Sequence, residues 1–184
     1  MVSPPECYCS LYVRTKDRDA AAGNSVSGTL PTGDSLTPGQ VYARNVQSVV
    51  LISCEVKSSS FGQTVTGTST GSGFVLTENG YVVTNAHVVE GASAITVSTH
   101  AGEEMEAKLV GSEADNDVAV LKIEAENLSA ITPGDSDYMA VGDTIYAVGN
   151  PLGELEYTMT GGMVSALDRD ISTYDSATGG YTTI

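Results

Sequence analysis

The apolar residues of this chain come in short runs, not in the long stripes of amphipathic helices. Val49-Val50-Leu51-Ile52, Tyr81-Val82-Val83-Thr84 and Val118-Ala119-Val120-Leu121-Lys122-Ile123 are rich in β-branched residues, and polar or Gly-containing segments separate them. Such runs fit strands. One helix is expected near the start of this pattern. Thr37 is a good N-cap and Pro38 a good first helical residue, so Pro38 to about Asn45 is predicted helical. Val46 to Val56 then reads as a strand, with Val49, Val50, Leu51 and Ile52 as core candidates, and Ser58 to Thr66 as a polar loop. Gly67 to Leu76 reads as the next strand. Glu78-Asn79-Gly80 is a hairpin turn, because Asn-Gly supplies the positive φ angles of a tight two-residue turn. Strands at Tyr81–Thr84, Ala94–Ser98, Glu104–Gly111, Val118–Ile123 and Thr144–Val148 follow. About seven short segments with turn signals between them indicate an all-β sandwich or closed barrel.

The pattern changes at both ends. Cys7 to Val13 has strand-like alternation, but Ala20 to Ser35 is small, polar and punctuated by Gly and Pro, so residues 1–36 read as an extension or mobile linker. After Gly149-Asn150-Pro151-Leu152-Gly153 something new begins: a strand over Tyr157–Leu167, a loop over Asp168–Gly180, and the start of a strand at Tyr181–Ile184. The expected organisation is therefore 1–36, 37–150 and 151–184.

Composition narrows the function. The chain has 184 residues and 41% hydrophobic content, enough for a packed core. Its 8 basic and 23 acidic residues give a net charge of −15. That excludes a basic stripe for nucleic acid and disfavours docking on an anionic membrane surface. No apolar run approaches the roughly 18 residues needed to span a bilayer. Met1 to Glu6 carry neither a basic n-region nor an apolar core, so they are not a signal peptide. The protein is thus expected to be cytosolic or to have lost an export segment upstream. Cys7, Cys9 and Cys54 define no disulfide framework, and with His87 and His100 far away they make no zinc pattern.

The candidate chemistry lies at strand edges. His87 follows the run Tyr81–Thr84, and Asp117 abuts the run Val118–Ile123. Histidine is the usual general base near neutrality, and a carboxylate on its other ring nitrogen orients it and stabilises the imidazolium. Asp117 is preferred over Asp115 because the core strand anchors it. Alone, His87 reads as a half-buried satisfied histidine and Asp117 as a turn residue. Together they are the first two members of a triad in the order His, Asp, Ser.

Several segments carry a family resemblance. They are Gly71-Ser72-Gly73-Phe74-Val75-Leu76, Gly80 to Val89 (Gly-Tyr-Val-Val-Thr-Asn-Ala-His-Val-Val), Leu109-Val110-Gly111 and Asp117 to Ile123. Gly134-Asp135-Ser136, Val141-Gly142-Asp143, Val148 to Gly153 and Gly162 to Ala166 continue the series. In order and spacing the chain resembles the HtrA/DegP group of trypsin-like serine proteases over roughly residues 37–184. The resemblance implies two six-stranded β-barrels with the active site between them, the first complete here and the second truncated. It implies endopeptidase action on unfolded or misfolded protein, no cofactor or metal, an extracytoplasmic setting and a homo-oligomer, typically a trimer. His87 and Asp117 map onto the base and the orienting acid. The family's nucleophile lies in a Gly-Asn-Ser-Gly-Gly segment that would fall just beyond Ile184, along with the oxyanion hole, most of the second barrel and any PDZ domain.

Three serines imitate the missing one. Ser136 in Gly134-Asp135-Ser136-Asp137 lacks the following glycines, Ser25 in Gly23-Asn24-Ser25 precedes His87 in the extension, and Ser72 has no strand-to-helix elbow. Ser72 reads instead as a place of close backbone approach. The expectation is a fragment of an HtrA-like endopeptidase, inactive alone. The alternative is a pseudoprotease, or a chaperone-like module that binds peptides by strand addition. Tyr157–Ile184, without the rest of its barrel, is expected to find no stable partner within the chain.

Overall fold

A computed structural model describes residues 11–14, 36–60, 63–150, 156–167, 172–175 and 180–183. Helix α1 spans Pro38–Asn45. Its first turn is closed by a capping box: Gln40 N–H donates to Thr37 Oγ1, and Thr37 N–H donates to Gln40 Oε1 at 2.9 Å. The helix tightens into a 3-10 turn over Val46–Ser48, where a strand was expected, and Val49 N–H still bonds back to Val46.

Strands β2 (Val49–Ser60), β3 (Gln63–Val75), β4 (Tyr81–Thr84), β5 (Ala92–Thr99), β6 (Glu104–Glu113) and β7 (Val118–Ile123) close into a six-stranded barrel in the order β2-β3-β4-β7-β6-β5. A closed sheet leaves no unpaired edge. Alternation decides what fills it. On β7, Ala119, Leu121 and Ile123 are fully buried, and on β2, Val50, Ile52 and Cys54 are. Leu51, a core candidate by sequence, is only half-buried because it points to the other face.

Within the expected loop Ser58–Thr66, residues 58–60 and 63–66 are strand. β2 and β3 stay paired there, from Lys57↔Thr66 out to Ser60↔Gln63. The ladder is a backbone structure and accepts polar residues, and Thr64, Val65 and Thr66 are β-branched. The turn after β3 also differs from the expected two-residue form. Gly80 has φ +96°, while Asn79 is not left-handed. The turn runs Thr77–Gly80, closed by Gly80 N–H to Thr77 O at 3.1 Å. A side chain at Gly80 would strike the Ile123 carbonyl.

Thr144–Gly149 (β8), counted with the first barrel by sequence, pairs outside it. It lies between β1 (Leu11–Arg14) and β9 (Thr158–Met163) in a three-stranded antiparallel sheet. Part of the expected linker is therefore a strand, Leu11 opposite Val148. β9 is shorter than Tyr157–Leu167, and it has a partner in this chain, contrary to expectation. Its ladder with β8 runs from Thr144↔Met163 to Gly149↔Thr158. The expected loop Asp168–Gly180 contains β10 (Ser172–Asp175), paired with β11 (Gly180–Thr183). Both differences have one cause: a hairpin supplies its own partner locally, so it needs no missing strand.

Buried Asn150 fastens the second sheet to the barrel. Its backbone N–H donates to Ser72 Oγ at 2.7 Å and its Nδ2 to the Val50 carbonyl at 3.1 Å. Its Oδ1 accepts from Tyr157 N–H at 2.7 Å. Tyr157 is gripped again at both ends: its carbonyl accepts from Tyr42 Oη at 2.8 Å, and its own hydroxyl donates to Ser98 O at 3.3 Å.

Candidate active site

Strand β4 ends where Thr84 Oγ1 donates to the Ser72 carbonyl at 2.8 Å. One turn of helix, α2 (Ala86–Val89), follows. Ala86, Val88 and Val89 turn into the barrel, which leaves His87 facing outward with a side chain 39% exposed. Val88 seats this turn on β3 in the space a side chain at Gly71 would fill: a Cβ there would lie 2.6 Å from Val88 Cγ2. The close approach inferred around Ser72 is thus made by its neighbour Gly71.

Asp117 arrives from the opposite side, on the loop from β6 to β7. It is one of the few non-glycine residues in the left-handed region, with φ 52°. Glu113 shapes the loop: its carboxylate accepts from Asp115 N–H at 2.8 Å, Asn116 N–H at 2.8 Å and Asn116 Nδ2 at 2.6 Å. The Asn116 backbone N–H first, then that of Asp115 and the Asn116 side chain, hold the Glu113 carboxyl below its ordinary range.

The two candidate residues meet. His87 Nδ1 lies 2.7 Å from Asp117 Oδ2 and 2.9 Å from Oδ1, and His87 N–H donates to Oδ1 at 3.0 Å. Asn85 approaches the same carboxylate from behind. Its Nδ2 donates to Oδ2 at 2.9 Å and to the Asp117 main-chain carbonyl at 3.1 Å. With its proton on Nδ1, the imidazole leaves Nε2 as the basic nitrogen. His87 and Asp117 line a cleft of about 360 Å³ with Glu90, Leu109, Ser112 and Ala114. This arrangement can hold an imidazole in one tautomer and offer it as a general base.

Asp115 serves the loop through its backbone N–H, while Asp117 is the carboxylate that meets His87. Ser136 lies in an exposed 3-10 turn, Ser136–Tyr138, and does not line the cleft. Ser25, Cys7 and Cys9 lie outside the described residues. Ser72 is buried, with its hydroxyl engaged by Asn150. Cys54 is free and buried, and burial pushes its thiol up, which keeps it protonated. Among the described residues no group of three His, Cys, Asp or Glu side chains is placed to hold a metal. Sequence reasoning missed Asn85, Glu113 and Asn150 as structural actors. Residue type alone does not single out Asn85, which follows polar Thr84 where the strand ends.

The family model described as trypsin-like peptidase domain matches residues 71–183. A probable periplasmic serine endoprotease, DegP-like, from Halomonas elongata is 50% identical over 103 residues, covering 56% of this chain and 22% of that protein. Serine protease Do-like HtrA from Bacillus subtilis is 42% identical over 149 residues, covering 78% of this chain and 33% of the relative. The chain thus spans only a minor part of these relatives. Among solved structures, a variant of the HtrA-type protease AlgW with a decapeptide superposes with TM-score 0.67 at 33% identity, covering 71% of this chain and 45% of that one. AlgW itself with a decapeptide gives TM-score 0.62 at 33% identity, over 71% and 46%.

Proposed function

The chain belongs to the trypsin-like peptidase domain family, in its HtrA/DegP group, and from that premise we propose that it is the His- and Asp-bearing part of a serine endopeptidase acting on unfolded protein. The observation that carries the reading is the 2.7 Å contact between His87 Nδ1 and Asp117 Oδ2 at the mouth of a cleft. In the complete enzyme, His87 Nε2 removes the proton of a serine hydroxyl as it attacks the scissile carbonyl. It then delivers that proton to the leaving amine. Asp117 orients the ring and stabilises the imidazolium. The serine and the oxyanion donors come from a Gly-Asn-Ser-Gly-Gly segment, which does not occur between Asp117 and Ile184. The relatives named as periplasmic support an extracytoplasmic setting. A homo-oligomer belongs to the same reading.

The experiment compares two proteins. Residues 1–184 alone should neither cleave unfolded casein nor react with a fluorophosphonate probe. The same chain joined to the sequence that follows Ile184 in its gene should do both, and Asp117→Asn should lower its kcat by about 10⁴. Labelling of Ser136 in the short chain, abolished by His87→Ala, would overturn the proposal.

A further inference from the structure

We propose that Asn85 is a positioning residue for the base, acting through Asp117; this rests on the assignment of His87 and Asp117 as base and orienting acid. Both polar contacts of Asn85 Nδ2 go to a single residue, Asp117: one to its carboxylate and one to its main-chain carbonyl. An amide that chelates a residue in this way fixes two things at once. The bond to the carbonyl holds the backbone where φ is 52°, a region uncommon for residues other than glycine, though Asp enters it more readily than most. The bond to Oδ2 fixes the rotation of the carboxylate, so that its oxygens also face His87 Nδ1 and the His87 backbone N–H.

The other end of the same side chain shows what Asn85 is for. Asn85 Oδ1 is buried and accepts no hydrogen bond among the described residues. A buried acceptor without a donor is a cost, and an aliphatic residue of the same shape would avoid it. Reversing the amide would set its oxygen against two oxygens of Asp117 and leave the donors unused. The side chain is therefore there for its two N–H groups. Their target is the carboxylate that selects the imidazole tautomer. Without the clamp, Asp117 is free to relax its backbone and turn its carboxylate away, and the neutral ring then has no reason to keep its proton on Nδ1.

The test uses residues 1–184 with ¹⁵N-labelled histidine. The chain has 2 histidines, so His100→Gln assigns the pair. Imidazole nitrogen shifts are read at the alkaline plateau of a pH series. The wild type should show mainly the Nδ1–H tautomer. In Asn85→Leu, the ratio of Nδ1–H to Nε2–H should fall about tenfold. An unchanged ratio in Asn85→Leu would overturn the proposal. So would a wild type that lacks the Nδ1–H tautomer. If Asn85→Leu does not fold, Asn85→Ala takes its place: a tenfold fall in the same ratio supports the clamp, and an unchanged ratio overturns it. The protease reading is judged separately: if the extended chain fails to cleave casein while the ratio falls as expected, that reading is lost and the positioning role stands.

Discussion

In the closed barrel, β7 has a neighbour on each side and sends Ala119, Leu121 and Ile123 into a core where each is fully buried. In the second sheet, β9 has a complete ladder with β8 and buries none of its side chains, with Met163 68% exposed. Both strands satisfy their backbone groups along a neighbour; only one has a layer packed over it. Strand pairing and core formation are separate achievements, and the second does not follow from the first. What holds the second sheet in place is concentrated at one end, where Val148 is buried and Asn150 reaches back to Val50 and Ser72.

The largest test of this contrast is truncation of one side chain from each region. Leu121→Ala should cost about 3 kcal/mol, since it empties a sealed site. Met163→Ala should stay within about 0.5 kcal/mol. Urea unfolding of residues 1–184 measures both, and comparable losses would erase the contrast between barrel and sheet. A smaller effect is expected at the seam. Asn150→Ala removes the side-chain donor to the Val50 carbonyl and frees Tyr157 N–H, at a cost of about 2 kcal/mol. In hydrogen exchange it should accelerate Thr158–Met163 while leaving Val118–Ile123 slow. Equal acceleration of both would mean that the seam belongs to the barrel core.

The smallest effect sharpens the same seam through pH. Burial first, then the Glu156 carboxylate and the Tyr42 phenol, push Tyr157 up to about 12. A phenol favoured in its neutral form by folding contributes fully below its unfolded value of about 10 and loses that contribution as pH rises through the folded value. The urea midpoints of wild type and Tyr157→Phe should therefore converge as pH is raised from about 9 to about 12. A constant difference would show that folding does not favour the neutral phenol.

What was legible in the sequence follows from which signals are local. The cap at Thr37 and the β-branched apolar runs Tyr81–Thr84 and Val118–Ile123 predicted α1, β4 and β7 closely, because cap chemistry and β propensity are written in residue type. The outer part of the β2–β3 hairpin, β1 and β10 were missed because partnership made them strands, and a polar strand looks like a loop until its partner is known. Thr144–Val148 reads as a strand, but its sheet does not follow from the pattern, since periodicity says nothing about neighbours. At the site, His87 and Asp117 stood out through their chemistry. Asn85 and Glu113 did not, because they act on a backbone conformation, the left-handed turn at Asp117, that residue types do not announce.

The contact between Gly71 and Val88 has a consequence for how this molecule can vary. A Cβ at position 71 would fall 2.6 Å from one Val88 methyl and 2.8 Å from the other, so both cannot hold a full-sized side chain. The two positions share a single allotment of volume. An alanine at 71 is tolerable only if 88 shrinks in the same lineage, and growth at either position alone tilts the turn that presents His87. The pair is therefore expected to drift together or not at all, two sites in the gene behaving as one in the fold.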